Sequence, residues 1–266
     1  MVTGWLEVGE RVFVRRYAFY DQTIGAVIGR AGALVIDTRT TYSQADELRD
    51  DLRALTSEPL LAVVNSHHHY DHTFGNARFA PTPSWALDRC AIVLRDTGES
   101  MRQRVSIEQP ELADELAEVV ITPPDRTFVK TALIELGDRA VELRHLGRGH
   151  TDNDIVALVP DAGVLFVGDL LENGAPPSFG DSFPAAWAET ARRLVDLRAA
   201  TYVPGHGDPA DHRFAEGQAA ALAALAEIAR QVVAGSMGGD EALRRSPFPA
   251  ATSRVALERA RLELLA

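Results

Sequence analysis

The sequence predicts a layered α/β fold. Three observations carry that expectation. Short apolar, β-branched runs alternate with helical patterns in two separate rounds, a charged helical stretch divides the rounds, and several strands end in glycine-rich turns.

The first round opens with strands at residues 11–14, 24–28 and 33–36; Gly29 and Gly32 separate the last two, which reads as a hairpin. A helix follows, with Ser43 as its cap, Asp46 and Glu47 in its first turn, and Ala45, Leu48, Leu52 and Leu55 at helical spacing. Residues 61–64 form a buried-looking strand. From about 84 to 120 the pattern is helical and charged, without a clear strand. Pro123-Pro124 closes it, and strands are expected at 127–129, 132–136, 140–146, 155–159 and 164–167. A helix at 185–197 puts Trp187, Leu194 and Leu197 on one face. A short strand at 202–203 precedes a helix at 214–233 with the stripe Leu222, Leu225, Ile228 and Val232, and a last helix starts at Ser253. The expectation is one domain over 1–266, with a helical insertion at about 84–120 that could serve as a lid, and C-terminal helices from about 211.

Composition narrows the function classes. A chain of 266 residues with 46% hydrophobic and 24% charged content can bury a sizeable core. Its formal net charge of -11 disfavours nucleic acid and anionic membrane as partners, and Arg192-Arg193 and Arg244-Arg245 are too short to form a basic patch. Cys90 is the single cysteine, so no intrachain disulfide forms, which fits a reducing compartment. The first residues lack the apolar stretch of a signal peptide, and no run is long enough to span a bilayer. A cytoplasmic protein acting on a small molecule is expected, with homo-oligomerisation left open.

The chemistry concentrates after the strand at 61–64, in Asn65-Ser66-His67-His68-His69-Tyr70-Asp71-His72. Four imidazoles and a carboxylate within six residues are hard to explain as packing, and they are the donors that zinc and similar metals accept. Alternation sends His67 and His69 the same way, while Asp71 and His72 turn elsewhere, as a second metal would need. Three more donors each follow an apolar strand in a glycine-containing turn: His150 in Gly149-His150, Asp169 in Gly168-Asp169, and His206 in Gly205-His206-Gly207.

This ordered set, His-x-His-x-Asp-His, Gly-His-Thr, Gly-Asp and Gly-His-Gly, resembles the metallo-β-lactamase superfamily over most of the chain. The resemblance implies an αββα sandwich of two mixed β-sheets flanked by helices, with the metal site at one edge between the sheets. It further implies that His67, His69 and His150 hold one metal, that Asp71, His72 and His206 hold a second, and that Asp169 bridges them. Asp37 would support the ligand loops from behind, although an aspartate turn after a strand explains it nearly as well. Two zinc ions are the expected cofactors, with iron or manganese as alternatives. Two cations sharing a water lower its pKa, so a metal-bridging hydroxide would be the nucleophile, with Asp71 as catalytic residue orienting it. The leaving group takes its proton from Asp71 or from water.

Other positions have less dramatic readings. His68 is expected on the surface or behind the ligands, His145 as a packed residue, and His212 at a helix start. Asp152 and Asp154 either orient the His150 imidazole or close a turn. Cys90 reads as a small buried residue, Trp85 and Trp187 as packing, and Phe179 as a candidate substrate wall.

Among superfamily chemistries, lactamase subclasses carry a lysine three residues after the position of Asp169 to hold a substrate carboxylate. Here Glu172 stands there and would repel one. The flavin-dependent di-iron members have an acidic residue where this chain has His69. Asp169 fits the glyoxalase II-like and lactonase-like branches, so hydrolysis of a small carboxylic ester, thioester or lactone leads. A one-iron persulfide dioxygenase, a β-lactamase and a phosphodiesterase are the alternatives. A non-enzymatic metal-binding scaffold is disfavoured because all seven candidate ligands are present.

Overall fold

A computed structural model describes residues 4–266. The first round of strands comprises β1 (Trp5–Gly9), β2 (Val12–Tyr17), β3 (Gln22–Ile28) and β4 (Ala33–Ile36). Helix α1 (Tyr42–Leu55) leads to β5 (Leu60–Val64), and the single turn α2 (Tyr70–Thr73) leads to β6 (Ser84–Leu87). Helices α3 (Asp88–Glu108) and α4 (Ala113–Glu118) precede β7 (Arg126–Phe128). The strands pair in order into a seven-stranded sheet, antiparallel from β1 to β4 and parallel from β4 to β7.

The second sheet holds β8 (Thr131–Glu135), β9 (Ala140–Arg144), β10 (Val156–Val159), β11 (Val164–Gly168) and β12 (Thr201–Pro204), in the order β12-β11-β10-β9-β8. Its pairs are antiparallel except β11 with β12, because α5 (Pro184–Asp196) makes the crossover. Helices α6 (His212–Val233), α7 (Gly239–Arg245) and α8 (Ala250–Leu265) finish the chain.

Side-chain alternation assigns the layers. In β4, Leu34 and Ile36 face a core shared with Leu143, Ala157 and Phe166 of the second sheet, whereas Val35 faces Ala45 and Leu48 of α1. In β11, Val164 and Phe166 enter the shared core, whereas Leu165 and Val167 meet Trp187, Leu194, Leu222 and Leu225 of the outer helices. The result is the expected helix, sheet, sheet, helix sandwich with mixed sheets. Among the described residues no helix is long and apolar enough to cross a membrane.

Several boundaries differ from expectation. Residues 84–87, expected within a purely helical stretch, form β6, and Trp85 packs on the inter-sheet core from it. Parallel pairing with β5 and β7 decides this; four residues are too few for a periodicity to show. Thr41, rather than Ser43, caps α1 by accepting from the Gln44 amide. Strand β1 and helix α7 were not anticipated: β1 buries little, and α7 is a seven-residue element.

Candidate metal centre

The donors lie where strands of both sheets end. β5 runs into His67, His69 and α2, which carries Asp71 and His72. The turn after β9 reaches His150, β11 runs directly into Asp169, and β12 into His206. The ends are tied together: the Ile155 amide donates to the Ser66 carbonyl (2.9 Å), Thr23 to Gly205 (2.7 Å) and Gly205 to Gly168 (2.9 Å). The Gln22 side-chain amide donates to the Asp71 carbonyl. Gly205 is required by close approach, since a Cβ there would lie 2.0 Å from Asp169 Oδ1. Gly207 is required by conformation, with φ at +90°.

All seven expected side chains converge, in two groups. In the first, His69 Nδ1 lies 3.0 Å from His67 Nε2 and 2.9 Å from His150 Nε2. Asp169 Oδ2 is 3.8 Å from His67 Nε2 and 3.4 Å from His150 Nε2. In the second, Asp71 Oδ2 is 3.2 Å from both His72 Nε2 and His206 Nε2. Asp169 also faces this group, with Oδ1 3.5 Å from His72 Nε2 and Oδ2 3.4 Å from His206 Nε2. Each group could hold a metal ion. The donors fit one: His72 Nε2 and Asp169 Oδ1 are buried without a hydrogen-bond partner, a cost that a shared cation would remove.

The outward nitrogens are held by groups that fix the rings. His72 Nδ1 sits 2.8 Å from Asp37 Oδ2, and Asp37 also accepts from the Ser66 amide and hydroxyl, each at 2.8 Å. Asp37 therefore supports the ligand loop, at a backbone φ of +69°. His206 Nδ1 faces the Tyr20 carbonyl at 2.7 Å, and His150 Nδ1 the Ser178 carbonyl at 3.2 Å. Tyr20 and Gln22 escaped the sequence reading because their contributions depend on which strand end the β2–β3 connection meets.

Without a cation the electrostatics split the imidazoles. Burial lowers His150 to about 4 and holds His67 well below the ordinary histidine range. Burial also opposes the charge on His206, but Asp169 and Asp71 outweigh it and push the group up to about 11. His72 is raised for the same reason: burial is exceeded by Asp71, Asp169 and Asp37. Asp71 is held down by His72 and His206 against its burial. Glu172 is raised to about 7 by burial and by the charge of Asp169.

The centre floors a cavity of about 820 Å³. Tyr20 and Tyr70 stand on its wall with ring centroids 6.1 Å apart, α3 contributes Arg104 and Glu108, and Glu172 and Asp181 add two carboxyls. The three remaining histidines stay out of the two donor groups, as expected. His68 is buried against Asn153 (2.9 Å), His145 binds the Asp154 carbonyl (2.8 Å), and His212 binds the Tyr202 hydroxyl (2.9 Å). Phe179 does not wall the cavity; it is buried against Trp187 and Phe248. Its apolar ring gains more in the core beneath α5 than beside charged groups. Asp154 closes the turn by accepting from the amide and hydroxyl of Thr151, both at 2.8 Å, and Asp152 pairs with Arg89. Cys90 is fully buried, and burial raises its thiol.

A family model described as the metallo-beta-lactamase superfamily matches residues 19–206, a span that contains all seven donors. The chain belongs to the metallo-beta-lactamase superfamily. This member carries histidine and aspartate clusters that could hold metal ions. It is 26% identical over 187 residues to the 2,4-dinitroanisole O-demethylase subunit alpha of a Nocardioides species, covering 68% of this chain and 51% of the relative. It is 24% identical over 216 residues to a linear primary-alkylsulfatase of a Pseudomonas species, covering 68% and 40%. The chain thus spans about half or less of the length of these curated relatives. Among solved structures, a metallo-beta-lactamase from Pontibacter korlensis superimposes with a TM-score of 0.64 at 20% identity, covering 82% of this chain and 98% of that one. This superfamily member therefore shares its fold with a lactamase at an identity that speaks for fold alone.

Proposed function

We propose that this chain is a binuclear hydrolase, with zinc as its metal, that cleaves a small carboxylic ester, thioester or lactone. The observation that carries the reading is the shared position of Asp169, a buried carboxylate facing both the His67, His69, His150 group and the Asp71, His72, His206 group. Imidazole and carboxylate donors at this spacing suit zinc, with iron or manganese acceptable to the same set.

When bound, a pair of divalent cations supplies Lewis acidity for a substrate oxygen and acidifies water. The chain's own groups do the rest. Asp37, Tyr20 and Ser178 hold the outward nitrogens of His72, His206 and His150, which fixes the direction of their lone pairs. Asp71 lines the cavity as an ionised carboxylate, so it can accept a hydrogen bond from an attacking water and orient it. Asp181 sets a negative charge on the wall, Glu172 adds to it as pH rises past about 7, and Glu108 offsets the charge of Arg104, which together disfavour substrates bearing a carboxylate. In this reading the chain forms one catalytic unit, with α3 bounding the cavity through Arg104 and Glu108.

The test is a panel of neutral thioester, lactone and carboxylic ester substrates, with a β-lactam, a phosphodiester and an alkyl sulfate alongside, on zinc-loaded protein. Turnover is expected in the first three, falling by about 10²-fold or more in Asp71→Ala. Turnover confined to the last three, or unaffected by Asp71→Ala, would overturn the reading.

A further inference from the structure

His69 differs from its neighbours in the direction it faces. His67, His72, His150 and His206 turn Nε2 toward the centre, whereas His69 turns Nδ1, which lies 3.0 and 2.9 Å from the Nε2 atoms of His67 and His150. Its outward nitrogen is Nε2, and the carboxylate of Asp181 meets it, with both oxygens at 3.1 Å. A neutral imidazole carries one proton. A carboxylate can only accept, so it draws that proton to Nε2 and leaves the Nδ1 lone pair facing the centre.

The backbone that carries Asp181 is held from the far end of the chain. Arg259 of α8 donates through Nη2 to the carbonyls of Asp181 (3.0 Å) and Ser182 (3.1 Å), and through Nε to Ser182 (3.2 Å). One turn later Glu263 accepts from the amides of Ala185 (2.7 Å) and Ala186 (2.9 Å), at the start of α5. The segment between Phe179 and α5 is therefore clamped by two side chains of a helix that lies outside the matched family span.

We propose that Asp181 is a positioning residue that fixes the metal-binding tautomer of His69, and that Arg259 of α8 holds it in place. The inference rests on the metal-binding reading above. His68, His69 and Asp181 also lie close enough to hold a cation of their own. That arrangement would require His69 to lose both ring protons while its Nδ1 serves the main centre, so the hydrogen-bonded arrangement is the one assigned.

The test measures zinc affinity by competition with a chromophoric chelator, alongside long-range proton–nitrogen spectra of zinc-loaded protein with ¹⁵N-histidine. Wild type is expected to show His69 protonated on Nε2 and unprotonated on Nδ1. Asp181→Ala should bind zinc about 10- to 100-fold more weakly, the range typical for loss of such a partner. Asp181→Asn, whose amide oxygen still accepts, should recover most of that loss and keep the tautomer, and Arg259→Ala should fall between. Zinc affinity and His69 tautomer unchanged in Asp181→Ala would overturn the proposal while leaving the hydrolase reading intact. A third zinc equivalent lost in that variant would overturn it as well. Wild type that takes up no zinc would overturn both.

Discussion

At the residue scale, the cation must compete with protons already in the site. Asp169 and Asp71 keep His206 protonated up to about pH 11 in the metal-free chain, and His72 is raised with it. Metal ligation needs both nitrogens unprotonated, so binding near pH 7 must expel these protons. Zinc titration in two buffers of different ionisation enthalpy should report release of more than one proton per chain, and His206→Ala should release about one fewer. Release of no protons would mean that the carboxylates do not charge these rings. Four of the seven converging side chains were legible because they crowd into one short segment after an apolar strand, and His150, Asp169 and His206 because each follows an apolar run in a turn whose glycines permit close approach. Tyr20, Ser178 and Asp181 were not, because a carbonyl or carboxylate that orients a ring belongs to a neighbour in space, and nothing in its own sequence marks it.

At the element scale, strands with a clean apolar pattern were read correctly, and those defined by their partners were missed. β4 is buried on both faces and reads as a continuous apolar run. β6 has four residues and pairs in parallel with β5 and β7, so its identity lies in its neighbours. Helix starts show the same division. Asp211 caps α6 locally by accepting from the Phe214 amide at 2.8 Å, whereas α5 has no side-chain cap of its own. Its first free amides meet Glu263, so the cap comes from a helix 77 residues away. Glu263→Ala should therefore lower the unfolding free energy by about 1 kcal/mol, as loss of a helix cap does, without changing the denaturant slope. Urea unfolding followed by circular dichroism measures this, and an unchanged midpoint would show that the contact is not a cap.

At the scale of the whole molecule, two mixed sheets bring four strand ends to one edge, and the charge gathered there couples folding to pH. His206 has a folded pKa of about 11 against an ordinary 6.5, so the metal-free folded chain binds more protons than the unfolded chain between these values. The stabilisation is complete below about pH 6.5 and is lost as pH rises toward 11. A zinc-loaded chain has already given up that proton. Between pH 7 and 9 the melting temperature of metal-free protein should therefore fall more steeply than that of zinc-loaded protein. Equal slopes would contradict the coupling. The layered architecture was readable from alternation alone, and the family motifs added where the sheets meet. The anchoring of the site by α8 required the coordinates.

The central claim is that these strand ends enclose a pair of cations around Asp169. Metal content of protein purified without added metal, then dialysed against zinc and measured by mass spectrometry, tests it directly. Two equivalents per chain are predicted, reduced in variants of His72 or Asp169. A folded wild-type chain retaining none, or the same two in an Asp169→Ala variant, would contradict the account.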